Sequence, residues 1–126
     1  MLKIITTGVL ALGLLSGCAQ LGAIGTVTST TVTPTEISVA GNAFVAAESL
    51  ATAYNNQAKC SATNKPPLCR DPAITAKLIP LIAAGNSELN ALISYSTANG
   101  GAPAPVSMLN VLEATIASVQ SVVPAK

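Results

Sequence analysis

The side chains that could perform covalent chemistry in this chain of 126 residues are few and far apart. Nucleophilic catalysis by serine or cysteine usually needs a neighbouring base, most often histidine, and the sequence contains no histidine. The S-x-x-K pattern of serine–lysine enzymes does not occur, and Ser61 and Lys65 are four positions apart in a segment constrained by two adjacent prolines. These observations disfavour a nucleophilic enzyme.

Paired carboxylates can hydrolyse glycosides, but the glutamates of this chain flank apolar stripes, where solvated charges belong: Glu36, Glu48, Glu88 and Glu113. No glycine-rich phosphate-binding pattern occurs either. The sequence therefore predicts that the protein is not an enzyme, has no catalytic residues, and uses no cofactor or small-molecule substrate.

One local concentration of charge stands out, formed by Lys59, Lys65, Arg70 and Lys77, with Asp71 as the only acid nearby. A rigid basic loop could bind an anionic partner such as phospholipid headgroups, lipopolysaccharide phosphates or an acidic protein patch. The simpler interpretation is that these lysines keep an exposed loop soluble. The formal net charge of only +1, with two tyrosines, one phenylalanine and no tryptophan, argues against nucleic-acid binding.

The N-terminus has the parts of an export signal in order: a positive charge at Lys3, an apolar run over 4–15, and small residues before Cys18. As a helix the run would be roughly 18 Å long, short of the roughly 30 Å hydrocarbon core of a bilayer. The motif at 15–18, LSGC, resembles the lipobox of bacterial lipoproteins.

That resemblance implies that 1–17 are a cleaved signal peptide and that Cys18 is lipidated, as the first residue of the mature chain. Several acyl chains, palmitate among them, would make a stable membrane anchor. Ala19 is not the aspartate that favours inner-membrane retention, so we expect the outer membrane, with the domain facing the periplasm. The alternative is an ordinary secretory signal with Cys18 as a spare thiol.

If Cys18 carries lipid, the remaining cysteines, Cys60 and Cys69, form a pair in an oxidising compartment. We therefore expect a disulfide-closed loop over 60–69, which stabilises the fold by roughly 2–3 kcal/mol. The alternative, a metal site, lacks the further ligands that zinc requires.

The segment 18–34 is rich in Thr, Ser and Gly and is predicted to be a flexible tether, with a reach of about 20–24 Å. Its β-branched residues would permit a short strand, but a strand without an obvious partner is not stable alone. A helical domain over 35–124 follows.

Helical periodicity begins at Glu36 and predicts a helix over 36–58, with Thr35 as N-cap. A second helix over 72–98 begins at Asp71-Pro72, and Pro80 inside it predicts a kink or a break around 76–80. A third helix spans 105–123. The apolar stripes are Ile37, Ala40, Phe44, Ala47, Ala51, Tyr54 and Ala58; Ile74, Leu78, Ile82, Gly85, Leu89, Leu92 and Ser96; and Leu109, Leu112, Ile116, Val119 and Val123.

These elements predict an all-α fold, a small antiparallel three-helix bundle with a thin, alanine-rich core. The favoured function is a non-enzymatic envelope lipoprotein that presents a helical domain to another envelope protein or to itself. The alternative is a phage- or plasmid-type exclusion factor, or an inhibitor of an envelope protein, that uses the basic disulfide loop.

Overall fold

The computed structural model describes residues 30–124, which form three helices and one two-stranded antiparallel sheet. In chain order the elements are β1 Thr31–Val32, α1 Pro34–Asn55, α2 Pro72–Ala98, β2 Ala104–Pro105 and α3 Val106–Val122. The described chain is thus mostly helical, as the all-α prediction requires, with a small sheet that was not predicted. The lipobox-like motif with Cys18, the predicted signal peptide and most of the predicted tether lie outside the described residues.

Helix α1 begins two residues earlier than predicted. The Thr33 hydroxyl accepts a hydrogen bond from the Glu36 backbone N–H at 3.3 Å, and the Glu36 carboxylate accepts one from the Thr33 N–H at 2.6 Å. This reciprocal capping box makes Thr33 the N-cap and places Pro34 in the first turn, where its missing N–H has no cost. The prediction of Thr35 as N-cap was wrong. The helix ends at Asn55, so Ala58 lies beyond it and is exposed.

The sheet joins the chain before α1 to the chain before α3. Thr31 pairs with Pro105 and Val32 with Ala104, and the Val106 N–H donates to the Thr30 carbonyl at 3.1 Å. Both Val32 and Ala104 are fully buried. Residues 31–34, which were predicted to belong to the tether over 18–34, are therefore not flexible: Thr31 and Val32 form a strand that pairs with the proline-containing connector, and Pro34 begins α1.

Helix α2 has the predicted bounds. The Asp71 side chain caps it by accepting a hydrogen bond from the Ala73 N–H at 2.8 Å, and Gly100 and Gly101 follow its end with φ values of 65° and 83°. The helix runs through Pro80 without interruption, so the predicted break is wrong and the kink stays a prediction. Ala76, whose carbonyl loses its helical donor at Pro80, is exposed, and water can reach it.

All three helices pack against one another around a single core. The predicted stripes are confirmed: their members are buried or partly buried, except for Ala58. The fully buried large side chains are Phe44, Leu78, Leu92, Leu109, Leu112, Ile116, Val32, Val119 and Cys69. The sheet adds Val32 and Ala104 to this core.

A close contact between α1 and α2 forms where Phe44 meets Gly85. Phe44 is 1% exposed, and a Cβ atom placed on Gly85 would lie 2.6 Å from its Cζ and 2.9 Å from its Cδ2. Real Cβ atoms do not approach other atoms that closely, so no side chain fits at this position unless the ring moves. Gly85 therefore allows the only phenylalanine of the chain to pack directly against the helix α2 backbone.

Candidate functional site

The disulfide predicted between Cys60 and Cys69 is present, with the two Cα atoms 4.9 Å apart. Inside the loop that it closes, the Ser61 N–H donates to the Asn64 carbonyl at 3.0 Å and the Leu68 N–H donates to the Lys65 carbonyl at 3.2 Å. Cys69 is fully buried. The loop is thus closed covalently and folded by its own backbone hydrogen bonds.

The base of this loop is fixed to the helices on either side. The Cys60 N–H donates to the Arg70 carbonyl at 3.1 Å, and the Arg70 N–H donates to the Ala58 carbonyl at 2.8 Å. The Tyr54 hydroxyl, on the last turn of α1, accepts a hydrogen bond from the Asp71 N–H at 2.7 Å. The loop therefore has a defined position at the junction of α1 and α2.

Arg70, one of the predicted partner-contact residues, is held by the fold. Its Nη1 atom donates a hydrogen bond to the Asn55 carbonyl at 3.1 Å, at the C-terminus of α1. The last carbonyls of a helix lack helical donors and carry partial negative charge, so a guanidinium stabilises this position. Arg70 is half-buried and at least one of its donors serves the fold.

The lysines of the predicted basic cluster are exposed: Lys59, Lys65 and Lys77. We call the region 57–79, which contains them together with Arg70, the disulfide end. Every basic residue of the described chain lies in this region, whereas Glu36, Glu48, Glu88 and Glu113 all lie outside it. The domain is therefore polarised, with its positive charge at one end.

The disulfide end also carries the two most exposed large apolar side chains of residues 30–124. Leu68, inside the closed loop, is 74% exposed, and Ile79, on the second turn of α2, is 63% exposed. The exposure of Leu68 could not be inferred from the sequence, because a single leucine in a loop has no periodicity that reports burial, whereas Ile79 lies outside the predicted α2 stripe. Apolar and basic groups thus share one end of the molecule.

A second exposed surface lies along α1. Val39, Val45 and Leu50 are 41%, 58% and 44% exposed. With 3.6 residues per turn, Val39 and Leu50 lie roughly 20° apart around the helix and Val45 lies roughly 120° from Val39. These residues therefore border the solvent-facing side of the helix, which we call the α1 face. Two cavities flank this helix: one of about 360 Å³ against α2, between Val45 and Ile93, and one of about 450 Å³ between Leu50 and the end of α3. These three residues fall outside the predicted stripe, which is the sequence signal for their exposure.

Two carboxyl groups outside the disulfide end have shifted pKa values, Glu113 on α3 and Glu36 on α1. Burial raises the pKa of Glu113, whose Oε1 atom is buried without a hydrogen-bond partner. The hydrogen bonds from the Thr33 backbone and hydroxyl lower the pKa of Glu36. Across residues 30–124, no group of three or more Cys, Asp or Glu side chains is placed to hold a metal ion.

The Ser61 hydroxyl, considered as a nucleophile, lies in a local turn. It accepts a hydrogen bond from the Asn64 N–H at 3.2 Å and lies 3.3 Å from the Thr63 hydroxyl. Within the described part of the chain, no helix is long and apolar enough to cross a membrane. No protein-family model, no curated protein and no solved structure matches this chain.

Proposed function

We propose that this protein is a non-enzymatic lipoprotein of the bacterial cell envelope that presents a small helical domain to a protein partner. The observation that carries the proposal is the exposed, weakly charged face of α1. The lipobox supplies the location, and the lack of histidine in the sequence supports a binding role over a catalytic one.

The α1 face differs from an ordinary solvated helix surface. Between Pro34 and Asn55 the only acidic or basic side chains are Glu36, which is engaged in the capping box, and Glu48, which is half-buried. Val39, Val45 and Leu50 occupy exposed positions where charged residues usually keep a helix soluble. The α1 face thus has exposed apolar side chains at both edges and no charged side chain between them, and depletion of charge is typical of the centres of protein interfaces.

The proposed anchor is a lipid on Cys18, and residues 19–30 connect it to the domain. A flexible chain of that length has a root-mean-square reach of about 17–21 Å, shorter than a tether extending to residue 34 would have. The domain would therefore stay close to the bilayer. With Ala19 after the cysteine, we place it on the periplasmic side of the outer membrane.

In the proposed arrangement the helices form an antiparallel bundle that runs up, down and up. The β1–β2 pairing supports this, because each strand directly precedes a helix and so brings the starts of α1 and α3 together. The hydrogen bond between Tyr54 and Asp71 joins the end of α1 to the start of α2. Helix α1, at 22 residues, is about 33 Å long. The disulfide end is then about 33 Å from the sheet, and the chain from the anchor enters the domain at the sheet.

Site-specific photocrosslinking in living cells tests the binding role. A photoreactive amino acid at Val45 or Leu50 should give discrete crosslinked products with an envelope protein or with a second copy of this chain. The matched control is the same amino acid at Val111, an apolar residue on α3 that is 52% exposed. Equal products at Val111, or none at Val45 and Leu50, would contradict an α1 binding face.

Lipidation is tested by fractionation and by labelling with an alkyne fatty acid. The unaltered protein should incorporate the label and remain with the membranes. Cys18→Ala should lose the label and, after removal of the signal, should appear in the soluble periplasmic fraction. A processed Cys18→Ala protein that stays with the membranes would refute the anchor.

A further inference from the structure

We propose that the disulfide end is a docking surface for an anionic phospholipid bilayer. Leu68 enters the headgroup region, and the ammonium groups of Lys59, Lys65 and Lys77 bind lipid phosphates around it. This role goes beyond the protein-binding role of the α1 face, and it uses only residues of the folded domain.

Leu68 is held outward by the structure of its loop. Its side chain is 74% exposed, while its own backbone N–H is bound to the Lys65 carbonyl and the next residue, Cys69, is fully buried and disulfide-bonded. Because its own amide and the following residue are both held, the backbone cannot rotate to carry the leucine inward without breaking these contacts. An exposed apolar side chain that is held in place is ready to enter another apolar environment.

The basic side chains of the same end of the molecule are available for binding. Lys59, Lys65 and Lys77 are exposed, whereas the Asp71 carboxylate is occupied as the N-cap of α2. A lysine at an anionic membrane surface raises the binding constant about fivefold. Three lysines acting together therefore raise the binding constant about a hundredfold.

A bilayer fits these side chains better than a folded protein does. The centres of protein interfaces are rich in Trp, Tyr and Arg and poor in Lys, which loses hydration when it is buried. At the disulfide end Arg70 is bound to the α1 carboxyl terminus, and Tyr54, the nearest aromatic residue in sequence, is buried. Lysines at a membrane surface keep their hydrated ammonium groups while their stems lie along the apolar boundary. The surface that remains resembles a membrane-contact element.

Contact through this end leaves the rest of the domain accessible. If the helices run antiparallel, the disulfide end and the sheet are about 33 Å apart, a distance set by the length of α1. A bilayer bound at the disulfide end then does not cover the middle of the α1 face. Lipid docking and binding of a protein partner are compatible.

Vesicle bridging tests the proposal with the full chain. The protein is reconstituted through its N-terminal segment into neutral phosphatidylcholine vesicles, which are then mixed with dye-labelled acceptor vesicles. Acceptors rich in phosphatidylglycerol should bind and should dissociate at high salt, because ionic strength screens the lysines. Acceptors of pure phosphatidylcholine should not bind.

Variants assign the contact to named residues. The triple variant Lys59→Gln, Lys65→Gln, Lys77→Gln should weaken binding about a hundredfold, and Leu68→Ser should weaken it about fivefold through lost apolar contact. Val111→Ser, which alters a comparably exposed apolar residue on α3, should leave binding unchanged. Circular dichroism of each variant should match that of the unaltered protein, because all these positions are exposed.

Three results would overturn the proposal: equal binding of neutral and anionic acceptors, full binding by the triple variant, or selective binding of an acidic protein with no binding of vesicles. In this assay the reconstitution step attaches the protein to the donor vesicles, whether or not Cys18 carries a lipid. The outcome is therefore separate from whether cells lipidate Cys18.

Discussion

The sheet and the disulfide end connect neighbouring helices by different means. At the sheet, two residues on each strand pair, and the two inward-facing side chains, Val32 and Ala104, are fully buried. At the disulfide end the connection is covalent, and it is supported by polar contacts from Tyr54 and Arg70 and by a 2.9 Å hydrogen bond from the Thr75 hydroxyl to the Asn55 side chain.

The difference shows that the residue composition of a connecting segment determines which interactions can stabilise its position. The chain beside the sheet offers apolar residues at the right spacing, so hydrophobic burial holds it. The segment between α1 and α2 is polar and contains Pro66 and Pro67, so it cannot form a core of its own. Its position depends instead on a crosslink that restricts the unfolded chain and on hydrogen bonds to helix ends.

We expect the largest effect from Gly85→Ala, a substitution in the core that lies between the sheet and the disulfide end. It should destabilise both regions equally. Gly85→Ala places a methyl group against the buried Phe44 ring, and we expect a loss of about 3 kcal/mol in the free energy of unfolding, the upper end for overpacked cores. Urea denaturation measures it.

Gly41→Ala is the matched control for that substitution. A Cβ atom there would lie 3.4 Å from the nearest Leu89 atom, an ordinary contact, so the better helix propensity of alanine should stabilise by up to about 1 kcal/mol. Similar losses in the two variants would show that the Phe44–Gly85 contact is not tight.

Removal of the crosslink should come next in size. The double substitution Cys60→Ser, Cys69→Ser should lower the free energy of unfolding by about 2.5 kcal/mol, because the unfolded chain regains the entropy of the opened loop. Hydrogen exchange should accelerate most at the Asp71 amide, bound by Tyr54, and less at the Val106 amide in the sheet. Equal acceleration at both amides would mean that the two regions unfold together.

The sheet is tested by Val32→Ala, which removes two methyl groups from a fully buried position. We expect a loss of about 1.5–2 kcal/mol from the apolar transfer and the cavity. The loss should be the same in the oxidised protein and in the Cys60→Ser, Cys69→Ser background, within about 0.5 kcal/mol, as for independent sites. A loss that changed with the disulfide would contradict the separation of the two regions.

The smallest effect concerns pH and the capping box beside the sheet. Hydrogen bonds from Thr33 lower the pKa of Glu36 below its ordinary value of 4.5, so ionised Glu36 stabilises the folded state above that value. This stabilisation should be lost as the pH falls below 4.5 and through the lowered pKa of the folded state. Glu36→Gln should reduce the pH dependence of the denaturation midpoint in that range. An unchanged acid response would exclude a contribution from the capping box.

The sequence predicted the helices because their buried residues recur at spacings of three and four. Phe44, Leu78 and Ile116 were all assigned to the core on that basis, and each is buried. Gly85 was placed in a stripe by its position alone. Periodicity could not reveal that Phe44 packs against it, since that contact depends on how two helices cross.

The sheet was missed for a different physical reason. Two-residue strands have no measurable alternation, and the partner of Val32 lies far away in the sequence beside Pro105. Two threonines, Thr33 and Thr35, lie shortly before Glu36, and N-cap propensity does not distinguish between them. The spacing for a capping box selects Thr33.

The candidate site was predicted in part. The exposed lysines and the cysteine pair followed from residue types, charge and the lipobox resemblance. The hydrogen bond from Arg70 to the end of α1 and the outward position of Leu68 depend on the path of the loop, which the sequence does not specify.

The pairing of β1 with β2 also has a mechanical consequence. Thr30 and Thr31 are the first described residues, and they are joined to Val106 and Pro105 by the sheet. A pulling force on the preceding chain therefore reaches two helices at once: α1 through the covalent backbone and α3 through the strand pairing. The load is divided before it reaches the side chains of the core, so the first turn of α1 does not bear it alone.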